Sequence, residues 1–173
     1  MSDTGYILRL ALLMVLQVLL LNYFNFSQYL VIFFLPAAIL CIPARRGGIY
    51  ALVVAFVAGF LTDFFADGML GLTTCALVPV GYARTWILRW IFGPDFFERG
   101  EDLSYRRLGF WPVLLALALA TLLFMLIYVW ADGAGTRPLW FNVLRVLLST
   151  LVSTALSLFT VQLFSPSWKG YNT

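Results

Sequence analysis

The sequence predicts an all-α integral membrane protein of about six transmembrane helices, and three observations predict it. Of 173 residues, 62% are hydrophobic and only 11% charged, with a mean hydropathy of +0.94. A soluble domain carries about 25% charge, so this chain lacks the charge to coat a water-facing surface. Its apolar runs are long and continuous and lack period-2 alternation, which favours helices over a barrel. The positive residues cluster at the ends of those runs, where they set topology rather than bind nucleic acid.

The runs place spans at about 6–22, 27–42, 49–65, 69–92, 110–131 and 139–164, all in a single transmembrane domain over 1–173. Tyr23, Phe24, Phe26 and Tyr29 surround Asn22, Asn25 and Gln28, as expected of a turn in an interfacial aromatic belt. The first run ends without a small-x-small cleavage site, so a cleaved signal peptide is not expected. The first two spans sit near the lower length limit for crossing the hydrocarbon core; they either cross or form a re-entrant pair. Pro36 and Pro79 are candidate kinks in the second and fourth spans, whereas Pro112 and Pro138 fall where a helix starts and a missing N–H costs little.

Arg9, Arg45, Arg46, Arg89, Arg99, Arg106, Arg107 and Lys169 fall on one side and only Arg137 on the other, eight against one. The excess predicts that both termini are cytoplasmic. The one sizeable polar stretch, about 93–109, is then a cytoplasmic loop. It mixes Asp95, Glu98, Glu101 and Asp102 with Arg99, Arg106 and Arg107, and reads as a solvated loop or as a docking site helped by Phe96, Phe97 and Tyr105.

Catalytic constellations are missing. The chain has no His, no paired carboxylates at a plausible cleft, no Gly-rich phosphate loop and no nucleophile elbow. Cys41 and Cys75 lie within apolar runs, which argues against a disulfide framework or a zinc site. Asp63 and Asp67, the candidate acids for a catalytic role, both sit at a rim. No catalysis, cofactor or metal is expected.

The polar and small residues inside the spans point to packing. Gly47, Ala51, Ala55, Gly59 and Asp63 follow one another at i+4 in the third span, with Asp67 four further on. Such a stripe lets another helix backbone approach closely, either within the chain or from another protein. Replacing Gly59 by Leu should disrupt that packing. The sixth span carries Arg145, Ser149, Ser153 and Ser157 at the same spacing, flanked by Asn142, Thr150 and Thr154. A charge inside a span is costly unless it pairs or snorkels. Arg145 and Asp63 fall at similar depth, so either they form an ion pair clamping spans three and six, or Arg145 snorkels and Asp63 caps a loop. Asp67-Gly68 reads as a turn, with Asp67 capping the fourth helix. Arg84, with Arg89, Trp86 and Trp90, reads as an interfacial anchor.

The stretch Gly59-Phe-Leu-Thr-Asp63-Phe-Phe-Ala-Asp67-Gly-Met-Leu70-Gly71, followed by Ala76 and Gly81-Tyr82, resembles the rod shape-determining MreD family. That family has Gly-x3-Asp, a short small-residue turn, then Leu-Gly leading into the next span. Gly59, Asp63, Leu70 and Gly71 are the matching positions. The resemblance implies a non-catalytic inner-membrane component of bacterial peptidoglycan elongation. It would act with MreC, the MreB filament, the RodA glycosyltransferase and its penicillin-binding transpeptidase to maintain cell shape, with the third-span stripe as the docking surface. MreD-like proteins look similar to the six-helix substrate-binding subunits of energy-coupling-factor vitamin transporters, so a small-solute transporter subunit is the alternative. Those subunits commonly carry an Ala-x3-Ala pair on the first span, and here Ala11 stands alone.

Overall fold

The computed structural model describes residues 3–23, 31–66, 69–97, 103, 108–133 and 138–164. Among them are six α-helices and no strand: α1 (Asp3–Tyr23), α2 (Leu35–Leu40), α3 (Gly48–Phe65), α4 (Leu72–Phe92), α5 (Phe110–Gly133) and α6 (Leu139–Phe164), with a 3-10 turn at Pro94–Phe96. Four of the helices (α1, α3, α5 and α6) are long and apolar enough to cross a membrane. The fourth helix matches α1 in length but carries Arg84 and Arg89, and it lies between α3 and α5 at the centre of the bundle. Large apolar side chains such as Leu8, Leu12, Phe56, Phe60, Trp86 and Leu151 point outward. So much outward apolar surface suits lipid and not water, and the chain is a membrane-embedded all-α protein.

Local chemistry sets the helix ends. Gly71 takes a left-handed conformation (φ +93°) immediately before α4, and Gly93 combines a positive φ (+89°) with an extended ψ immediately after it, its N–H returning to Arg89 O. Both positions suit glycine, because no Cβ opposes a positive φ. Pro36 lies in the first turn of α2, where its ring is tolerated. Pro79 sits within α4, which continues through it.

The second apolar segment departs from expectation. The run at 27–42 suggested a helix, but α2 has only six residues. Residues 31–34 before it are non-helical, and 24–30 lie outside the described residues. The segment nevertheless runs the length of the bundle interior. Gln17, two-thirds along α1, bonds Ile32 and Phe34, whereas Tyr6, near its start, bonds Ala38 O. Phe34, the α2 N-cap, already has helical dihedrals; the three residues before it reach about 10 Å if extended and the six helical ones about 9 Å. Together they reach about 19 Å, against a hydrocarbon core about 30 Å thick. A ten-residue helix would cover about 15 Å. Unwinding is how a short run travels far.

Candidate functional site

Non-helical backbone at membrane depth survives only when protein groups satisfy its N–H and C=O. Here both edges of the non-helical stretch 31–34 are bonded. On one edge the Gln17 side-chain amide donates to Ile32 O (2.9 Å) and accepts from Phe34 N–H (2.8 Å). On the other, Val31 N–H donates to Ser149 Oγ (3.0 Å) and Phe33 N–H to Ser153 Oγ (3.1 Å). The pitches match. Alternate amides of an extended chain are about 6.6 Å apart, and residues four apart on a helix rise about 6 Å. Phe33 is fully buried, its ring 4.7 Å from that of Phe124 and 4.8 Å from that of Tyr128 on α5. At the far end Arg84 donates through Nη2 to Ile42 O and through Nε to Leu40 O, taking up carbonyls that α2 leaves open at its C-terminus.

Arg84 therefore does not anchor at an interface: it is 1% exposed and holds the backbone at the end of α2. The sequence reading passed over Gln17 and Tyr6 as well. Their signal was present, since Gln17 is an amide in the middle of an apolar run and Arg84 stands two turns inside its span, both costly placements without partners.

The third-span stripe is spent inside the chain. An added Cβ on Gly59 would stand 2.7 Å from Thr74 Cα, and one on Gly81 2.9 Å from Ala55 Cβ and 3.1 Å from Ala51 O. Thus α3 and α4 run antiparallel in backbone contact, with Ala51, Ala55 and Ala58 buried between them. Small residues drive such contacts where lipid removes the hydrophobic force. The stripe is therefore not a free docking surface, which corrects that expectation. Gly47 falls outside the contact, being exposed at the α3 N-cap with nothing within 4 Å of its would-be Cβ.

Asp63 does not pair with Arg145. Its carboxylate accepts from Gly71 N–H (3.1 Å), Thr73 N–H (2.9 Å), Thr74 N–H (2.9 Å) and Thr74 Oγ1 (2.8 Å). A carboxylate on the open N–H groups of a helix N-terminus gains charge-assisted bonds and a favourable helix dipole. The α4 cap thus comes from the end of α3. Asp67, expected in that role, lies outside the described residues. Leu70 is 72% exposed and touches no interior group, while Gly71 supplies the positive φ.

Arg145 pairs instead with Asp132 at the end of α5, Nη1 to Oδ2 at 2.5 Å. The pair is mostly buried, with side-chain exposures of 9% and 27%. A charge swap between Asp63 and Arg145 is therefore expected to rescue nothing. In a double-mutant cycle, Asp132 and Arg145 should couple by roughly 1–3 kcal/mol, and Asp63 with Arg145 by close to zero. Thermal unfolding in detergent reads both cycles, and a large Asp63–Arg145 coupling would contradict the assignment.

Compared with protein-family models, curated proteins and solved structures, the chain matches none. Among the described residues no group of three or more His, Cys, Asp or Glu could hold a metal ion. What fold and site define is a membrane-embedded helical protein in which Gln17, Asp63, Arg84, Ser149 and Ser153 hold the chain's own backbone, while the Ser157 and Thr154 hydroxyls are buried with no partner among the described residues.

Proposed function

We propose that the protein is a non-catalytic component of the bacterial peptidoglycan elongation complex. In this reading it sits in the inner membrane with both termini cytoplasmic and binds MreC and, through the complex, MreB, RodA and its penicillin-binding transpeptidase. One observation carries the reading: three of the four matching residues of the resemblance operate as one device, Leu70 being exposed. Gly59 admits the α4 backbone, Asp63 caps α4, and Gly71 makes the turn between them. A turn built for structure suits a scaffold.

The solute-binding alternative needs convergent polar groups free to face a ligand. Ser149 and Ser153 of the sixth-span stripe are engaged by Val31 and Phe33. With the α3 stripe occupied, partner contacts fall to outward helix faces such as that of Phe56 and Phe60, which are 54% and 50% exposed.

Depletion in the native bacterium tests the proposal. Rods should round up, and photocrosslinkers at Phe60 and Leu12 should capture elongation proteins. Unchanged rods, or a stoichiometric small ligand co-purifying from detergent, would overturn it.

A further inference from the structure

The end of the bundle that holds Arg9, Arg45, Arg46 and Arg89 also contains an apolar groove of about 670 Å³ between the last turn of α4 and the first turns of α5. Trp90, Ile91, Trp111, Pro112, Leu115 and Ala118 line it, and among the described residues no charged side chain does. Trp90 and Trp111, 89% and 76% exposed, stand where both helices end, the level at which indoles meet lipid headgroups. Arg89, one residue from Trp90, is exposed; its guanidinium lies 5.7 Å from the Phe97 ring and makes no ion pair among the described residues.

We propose that this groove seats an acyl chain of an anionic phospholipid whose phosphate is held by Arg89. Charge selects the occupant: a basic helix end complements a negatively charged leaflet surface, and an exposed guanidinium suits a phosphate oxygen. Length argues the same way. From Trp111 to Ala118 the groove runs about 10 Å along α5, too short for the several turns over which two helices interlock. A flexible chain needs no such length. The site is independent of the scaffold reading, since it requires no partner protein.

The test places the protein in phosphatidylcholine vesicles containing brominated phosphatidylglycerol or brominated phosphatidylcholine, in a variant retaining Trp90 and Trp111 as its only tryptophans. Bromine on an acyl chain in the groove quenches both indoles. The glycerol lipid should bind roughly fivefold more tightly than the choline lipid. The Arg89→Gln variant should remove the preference, Arg89→Lys should keep it, and Ala118→Phe, which fills the floor, should weaken quenching by both lipids. If the reduced-tryptophan variant does not fold, the wild-type protein released from mixed vesicles into a mass spectrometer should retain the glycerol lipid preferentially, and Arg89→Gln should not. Equal quenching or retention of the two lipids overturns the proposal, as does a preference untouched by Arg89→Gln. Indoles shielded from both lipids, as a second copy of the chain or another helix would shield them, overturn it too.

Discussion

Gln17→Leu is expected to destabilise the protein by about 2–4 kcal/mol, although it makes the first helix more apolar and by hydropathy a better membrane span. The substitution strands two backbone groups at once, Ile32 C=O and Phe34 N–H. The Phe34 N–H is buried with Phe33 and Leu35 around it, and the Ile32 carbonyl is partly so. A buried polar group without a partner costs about 1–3 kcal/mol, and leucine's extra apolar surface gains little in a lipid-like surround. Ser149→Ala and Ser153→Ala each strand one amide and should each cost about 1 kcal/mol or more. Leu12→Ala, on the outward face of α1, should change little. Unfolding midpoints in detergent give the order, and a neutral or stabilising Gln17→Leu would show that the extended stretch does not depend on α1.

The second large effect belongs to Gly59. A leucine there must push its Cβ into the backbone of Thr74, with Cα at 2.7 Å and N at 3.1 Å. Backbone cannot rotate aside as a side chain can, so the helices must separate. Separation costs the buried Ala51–Gly81 contact and draws the α4 amides away from Asp63. Overpacking alone costs about 1–3 kcal/mol, occasionally more, and here a charged cap is lost with it. Gly59→Leu should therefore reach about 3 kcal/mol or beyond and yield mostly aggregate on extraction. Gly47→Ser, at an open N-cap, should be neutral or slightly stabilising. Size-exclusion profiles and unfolding midpoints separate the two; equal effects would mean that the whole stripe shares one contact.

These effects also show what was legible in the sequence. Helices such as α3 and α5 follow from uninterrupted apolar runs, which in lipid leave the backbone only one way to bond itself. The non-helical part of the second segment was not legible, because Val31–Leu40 is as apolar as any helix. What unwinds it is remote: an amide on α1 and two hydroxyls on α6, separated from it by 15 to 120 residues. The serine stripe was visible, but its purpose depended on a partner that no periodicity encodes. Asp63 and Arg145 were both visible as charges needing partners. Depth alone matched them to each other, whereas geometry gave Asp63 the start of α4 and gave Arg145 the acid at the end of α5. Arg84 misled because flanking tryptophans are also what a snorkelling anchor would have.

The central claim is that residues 31–34 form a non-helical segment held between α1 and α6, and hydrogen exchange of its amides tests that most directly. In lipid nanodiscs Val31, Phe33 and Phe34 should exchange as slowly as the amides of α4. Gln17→Leu should speed exchange at Phe34, and the Ser149→Ala/Ser153→Ala double variant should speed it at Val31 and Phe33. A continuous helix would protect the same amides through carbonyls four residues earlier. Slow exchange that survives both variants unchanged would therefore contradict the account.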